Sequence, residues 1–100
     1  MDGFQRVIWW LFQSSAGGST RVRLVQALRE TPSNAQQLSV AVGLDYTTVR
    51  HHLKVLQQNH LVDVAGGRYG QVYFVSPNLE TRWTMIDEID AKNKKRKPRE

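Results

Sequence analysis

The sequence predicts a mainly helical α+β domain with elements in the order α-α-α-α-β-β-α, and three observations predict it. Apolar residues recur at helical spacing in five stretches: Phe4 to Leu11, Leu24 to Leu28, Leu38 to Val42, Val49 to Leu56 and Leu79 to Ile89. The last four stretches are set off by capping and breaking residues at Ser19, Pro32, Asn34, Gly43, Asp45 and Pro77. Between the last two stretches, two short runs of β-branched and aromatic residues flank a glycine-bearing tip, as in a β-hairpin. A chain of 100 residues suits one domain with a modest core, which a second subunit would help to stabilise.

Phe4, Val7, Ile8 and Leu11 fall at i, i+3, i+4 and i+7, so residues 3–13 read as an amphipathic helix whose apolar surface Trp9, Trp10 and Phe12 widen. The segment from Ser14 to Ser19 breaks the pattern as a loop. A second helix runs from about Thr20 to Glu30, capped by Ser19 or Thr20, with Leu24, Val25 and Leu28 inward; Thr31 and Pro32 stop it. Asn34 caps the next helix, Gln37 reaches back to it, and Leu38, Ala41 and Val42 form its buried side. Gly43 supplies a turn, and Asp45 caps a helix from Tyr46 to about Asn59. Strand-like runs follow at 61–64 and 71–76, joined by a tip at 65–70. Asn78 then caps a last helix to about Ala91, with Leu79, Trp83, Ile86 and Ile89 on its apolar face. The chain thus divides into an N-terminal helix and loop over 1–18, a domain over 19–91, and a disordered basic tail over 92–100.

Net charge is +5, which favours an anionic partner, but its location matters more than its size. Of the 14 Lys and Arg and the 9 Asp and Glu, the last ten residues hold six and one, leaving eight of each in residues 1–90. The body is neutral, so a case for nucleic-acid binding has to rest on local clustering. The tail between Lys92 and Arg99 suits nonspecific phosphate neutralisation or simple solubilisation. The absence of cysteine excludes disulfides, thiolate metal sites and thiol nucleophiles. The apolar run Val7-Ile8-Trp9-Trp10-Leu11-Phe12 is far shorter than the roughly 20 residues that span a bilayer. A soluble, cytoplasmic, nucleoid-associated protein without membrane attachment is expected. With no paired carboxylates, nucleophile with base, or phosphate loop, neither an enzyme nor a cofactor site is expected.

The segment from Asn34 to Val62 carries the functional signal: two short helices broken at Gly43, the plan of a helix-turn-helix. Stepping about 100° per residue sets Val49, Leu53 and Leu56 on one side of the second of these helices, with His52 at its inner edge. Thr47, Arg50, His51 and Lys54 then face outward with no acid among them, whereas an ordinary solvated face mixes signs. In a major groove Arg takes guanine O6 and N7 together, Thr contacts base edges or a thymine methyl, and Lys and His suit phosphates or guanine. Tyr46 and Thr48, at the helix start, reach toward the sugar-phosphate backbone, and Arg68 on the hairpin tip suits a narrow minor groove or its flanking phosphates. Tyr69 and Tyr73 fit either packing or phosphate contact. The adjacent His51 and His52 point about 100° apart, a poor fit to one metal ion, so no metal site is expected.

Thr47-x-Val49-x-x-His52-Leu53-x-x-Leu56-x-x-x-x-Leu61-Val62 resembles the recognition-helix signature of ArsR-like winged helix-turn-helix transcriptional regulators, a likeness covering roughly residues 19–90. Arg21 through Leu28, Asn34 to Leu38, Asp45 to Val49, and Tyr69-Gly70-x-Val72-Tyr73 are similar to the archaeal type of such regulators. The resemblance implies a dimeric transcriptional regulator bound to double-stranded DNA, with helix 46–59 in the major groove and 65–70 as the wing. It also implies metal sensing in many members, which the lack of Cys here opposes. The family commonly places Gly before the Leu-Val pair; this chain has Asn59-His60 there, two residue types that tolerate positive φ.

The N-terminal and C-terminal helices offer more apolar surface than a small winged domain is expected to cover, so a homodimer is expected through Phe4, Val7, Ile8, Leu11, Leu79, Trp83 and Ile86, with the last helix as a dimerisation helix. Two other readings compete: a winged-helix protein–protein interaction module using the aromatic N-terminal helix, and a nonspecific architectural DNA-binding protein. The acid-free face opposes the first; the neutral body with its polybasic tail leaves the second open.

Overall fold

A computed structural model describes residues 1–67 and 70–95. Arg68, placed on the wing by the sequence, and the end of the basic tail from 96 to 100 lie outside the described residues. Helix α1 spans Gly3–Trp9, and Asp2 and Gln5 close its start reciprocally, the Gln5 amide donating to Asp2 Oδ1 at 2.8 Å. The sequence expects a continuous helix to residue 13. Instead the chain widens at Trp10–Ser14 into a π turn, closed by the Ser15 amide on the Trp10 carbonyl at 2.9 Å. The cause is tertiary: buried Arg21 donates from Nη1 to the Leu11 carbonyl at 3.0 Å and to Ser15 Oγ at 2.8 Å, securing the turn from outside.

Helix α2, Gly18–Glu30, starts two residues earlier than expected and is entered through Gly17 rather than capped by Ser19 or Thr20. Gly18 is buried so tightly against the π turn that a Cβ would collide with the Phe12 carbonyl. Helix α3, Ala35–Val42, carries the expected capping box, with Gln37 N on Asn34 Oδ1 at 2.7 Å and Asn34 N on Gln37 Oε1 at 2.9 Å. Leu38 and Val42 face inward as expected, but Ala41 is exposed, and Ala35 and Ser39 are buried in its stead. Gly43, at φ 71°, ends the helix in the left-handed region.

Helix α4, Tyr46–Gln58, is capped by Asp45. It ends on His60, the only non-glycine residue among those described with positive φ, at 64°. The His60 amide reaches the Gln57 carbonyl at 3.1 Å and the Leu61 amide the Leu56 carbonyl at 2.9 Å, the paired closure usual at a left-handed helix end. The sequence's allowance for positive φ at Asn59-His60 is thus taken up by His60. Strands β1, Val62–Ala65, and β2, Val72–Val75, pair antiparallel with Val64 opposite Tyr73. Ser33, between α2 and α3, bridges to Tyr73 through two backbone hydrogen bonds of 3.1 and 2.8 Å, anchoring the hairpin root to the helices.

The sequence expects one final helix capped by Asn78; there are two. Ser76, not Asn78, caps the short α5, Pro77–Glu80, whose first position proline presets, and α6 follows at Trp83–Lys95. Helix α6 continues four residues beyond Ala91, so Lys92, Asn93, Lys94 and Lys95 are helical rather than tail. Lys94 pairs with Asp90 at 3.3 Å, Lys92 lies 4.6 Å above the Trp9 ring, Asn93 donates to the Phe12 carbonyl at 3.3 Å, and cations suit a helix C-terminus.

Helix α6 packs on α1 and the π turn, and this changes the expected dimer seam. Ile8, Leu11, Leu79, Trp83 and Ile86 are all buried in the core of a single chain. They are therefore not a free surface; only Phe4 and Val7 of that set stay half-buried, while Trp10 is 61 % exposed. His52 is buried on the inner side of α4 as expected. Its Nδ1 has no hydrogen-bond partner among the described residues.

His60 is exposed, so its replacement tests backbone alone: His60→Gly should exceed His60→Val in unfolding free energy by about 2 kcal/mol, because a β-branched residue is strained at positive φ. Equal chemical-denaturation midpoints for the two variants would refute this. His52 is held below the ordinary imidazole range by burial, then by the nearby Arg21 charge and by His51. The folded value thus lies below the unfolded one, near 6.5, so its contribution to stability is complete above about pH 6.5 and is lost as pH falls and the unfolded chain takes up the proton. Between about pH 7.5 and 5.5 the wild type should lose more unfolding free energy than His52→Leu; parallel profiles would show that His52 does not carry the effect.

Candidate nucleic-acid interface

Helix α4 is oriented by its buried residues. Val49, Leu53 and Leu56 are buried with His52 against the body, which turns Tyr46, Thr47, Arg50, His51, Lys54, Gln57 and Gln58 outward. The arrangement that helical spacing gives for Thr47, Arg50, His51 and Lys54 is therefore present in three dimensions. The His51 and His52 rings diverge, with centroids 5.7 Å apart and planes at 62°.

The first turn is closed by its cap. Asp45 accepts the Thr48 amide on Oδ2 at 3.0 Å and the Thr48 hydroxyl on Oδ1 at 2.6 Å. Those two bonds, the hydroxyl first, hold the Asp45 carboxyl below the usual carboxylate range. The Thr48 hydroxyl proton is thus committed to the cap. One turn on, Arg50 bends back along the helix: Nη1 donates to the Tyr46 hydroxyl at 3.1 Å, and Cζ stands 5.8 Å from the Tyr46 ring centroid. This hydrogen bond is the main reason the guanidinium is held even more firmly in its charged form than an ordinary arginine.

Two grooves flank Arg50. One is lined by Asn34, Gln36, Tyr46, Gly70 and Gln71; the other by Thr47, His51, Lys54, Gln57 and Gln71. Arg50 and Tyr73 line both. Helix α4 and the wing strand β2 therefore form one continuous surface with Arg50 at its centre. Tyr73 is buried, which resolves its two sequence readings toward packing. Sequence reasoning passed over Gln36, Gln57 and Gln71. Gln57 lies one turn beyond Lys54 and was within reach of the same helical geometry, whereas Gln71 depends on hairpin register and Gln36 on how α3 crosses α4.

Comparison with known proteins agrees with this architecture. Residues 18–64 match the family model described as bacterial regulatory protein, arsR family. No curated protein sequence matches the chain. Among solved structures it is similar to Mb0332 of Mycobacterium bovis, a homodimeric winged helix-turn-helix DNA-binding domain and possible ArsR-family transcriptional regulator. That pair shares 19 % identity over 75 % of this chain and 69 % of the other, with a TM-score of 0.62. It is also similar to a predicted DNA-binding transcriptional regulator from E. coli, at 16 % identity over 85 % and 88 % of the two chains and a TM-score of 0.65. NolR from Sinorhizobium fredii is similar at 16 % identity over 86 % and 80 %, with a TM-score of 0.62. With its capped helices, its wing tied to Ser33 and the arsR-family match across residues 18–64, the chain has a winged helix-turn-helix fold whose helix-turn-helix is similar to that of the arsR family.

Proposed function

We propose that this chain is a transcriptional regulator that binds double-stranded DNA sequence-specifically as a homodimer, with α4 in the major groove and the wing over the flanking minor groove or its phosphates. The observation that carries the reading is the outer face of α4: Thr47, Arg50, His51 and Lys54 are exposed side by side with no acid among them, open along the wing strand. In this arrangement Arg50 reads a guanine, Thr47 a base edge or thymine methyl, and His51 and Lys54 meet phosphates or guanine. Arg68 extends the contact from the wing tip. The protein acts at the nucleoid and performs no catalysis.

The dimer uses what the single chain leaves uncovered. Phe4, Val7 and Trp10 follow one another at intervals of three along α1 and the π turn, with Trp10 the most exposed of the three. Pairing this stripe across a two-fold axis buries it, and would set two recognition helices roughly 34 Å apart on a near-palindromic site. The homodimeric state of the similar Mycobacterium bovis domain supports a homodimer.

Selection of bound duplexes from a random pool, followed by competition against random DNA at fixed salt, tests the reading. Arg50→Ala should weaken the selected duplex by roughly ten- to hundredfold and random duplex far less. Lys54→Ala should weaken both alike and lower the salt slope by about one. Equal losses on both duplexes for both variants would remove the assignment of roles. For the assembly, Trp10→Glu should shift a micromolar sample from dimer to monomer in sedimentation; a wild-type monomer at that concentration would rule the dimer out.

A further inference from the structure

Arg50 is the residue on which discrimination depends, yet an exposed arginine on a helix samples many rotamers, and a two-donor contact to guanine requires one plane. Here the plane is set before DNA arrives. The Tyr46 hydroxyl accepts Arg50 Nη1 at 3.1 Å, one helical turn away. The Tyr46 ring stands beside the guanidinium, and Tyr73 lines both grooves that flank it. None of the ion pairs formed among the described residues involves Arg50, so no carboxylate competes with the tyrosine for it.

The anchor itself is firmly held. Tyr46 is the first residue of α4, directly after the Asp45 cap that locks Thr48 through two hydrogen bonds. Tyr73 is fixed on both strand edges, by Val64 in β1 and by the Ser33 bridge. Only one Nη1 hydrogen is used by the hydroxyl. Among the described residues the edge formed by Nε and Nη2 makes no hydrogen bond and can meet a purine, and the hydroxyl keeps its own proton.

Resting on the DNA-reading role proposed above, we infer that Tyr46 is a specificity-determining positioning residue: its hydroxyl orients the Arg50 guanidinium for one guanine, and Tyr46 need not itself read a base. This differs from a backbone-contacting tyrosine in what its loss does. A phosphate contact lowers affinity for every sequence, whereas an orienting contact lowers it only where Arg50 has a guanine to read. The entropy of fixing Arg50, otherwise lost on binding, is already lost in the free protein.

The test is a double-mutant cycle read by equilibrium competition on three duplexes: the selected site, the same site with the Arg50-dependent G·C pair changed to A·T, and random DNA. Tyr46→Phe retains the ring and removes only the hydroxyl. It should weaken the selected site about fivefold, leave the A·T and random duplexes unchanged, and add nothing in an Arg50→Ala background. Thermal unfolding of Tyr46→Phe should match the wild type, since Tyr46 is 44 % exposed. The same loss on all three duplexes, full additivity with Arg50→Ala, or no loss on the selected site would each overturn the inference while leaving the DNA-reading role intact. A wild type that does not prefer the selected site over random DNA would overturn that role, and the inference with it.

Discussion

The outer face of α4 has meaning only because the helix can neither rotate nor slide. Rotation is set by Val49, Leu53 and Leu56, fully buried in the core, with His52 beside them. A shift by one residue, about 100°, would drive Arg50 toward that core, and burying an unpaired guanidinium is far costlier than any repacking could offset. Sliding is prevented by the two left-handed boundaries, Gly43 before the helix and His60 after it. Beyond His60 the chain buries Leu61 and Val62 immediately, so the C-terminal closure of α4 is continuous with the wing. Helix and wing root are thereby tied together, and grooves shared by Arg50, Gln71 and Tyr73 are the geometric result.

The same core explains why the N-terminal helix is not an appendage. Buried Arg21 on α2 holds the π turn through the Leu11 carbonyl and Ser15, while its charge lies close enough to His52 on α4 to disfavour a second positive charge there. Burial also lowers the Arg21 proton affinity, although its guanidinium stays charged. The start of the chain is thus coupled to the back of the recognition helix through one side chain. Helix α6 covers the other flank of α1, and Arg82 at its start reaches both the Phe4 ring, 4.9 Å away, and Asp2. Apolar surface that composition suggested was available to a second subunit is consumed within the chain, and what remains is narrower and centred on Trp10.

What the sequence made legible is what short-range rules decide. The Asn34 and Gln37 capping box, the Gly43 turn, the Asp45 cap and the inward set of α4 each depend on residues within a turn or two of one another. The exposed placement of Thr47, Arg50, His51 and Lys54 was legible for the same reason. Where the reading fell short, a distant partner decides. Nothing near Trp10 signals a π turn, because its cause, Arg21, approaches from another helix. Gly17 replaced two good capping residues because Gly18 had to fit against the Phe12 carbonyl. Ser76 is the exception, since a proline at the first helical position points to the residue before it as the cap, and that signal was present in the sequence. The wing side of the groove depends on strand register and on the Ser33 bridge, both long-range.

A neutral body and a cationic outer face on α4 are compatible because the acids lie elsewhere, and four of the eight in residues 1–90 are engaged in local contacts. Asp2 faces Arg82, Glu80 holds Arg29 at 2.7 Å, and Asp90 pairs with Lys94. Asp45, the acid nearest in sequence to the reading face, is turned into the cap by Thr48. Each of these contacts removes a negative charge from competition without moving the net total. At about 0.1 M salt, fields between exposed charges fade over about 10 Å, so a duplex approaching α4 senses Arg50 and Lys54 rather than the sum over the body. Long-range attraction, by contrast, follows net charge and lies with the lysine-rich end of the chain. In the proposed reading, capture and discrimination would therefore fall to separate parts of the molecule, and substitutions in one would change its own contribution without altering the other.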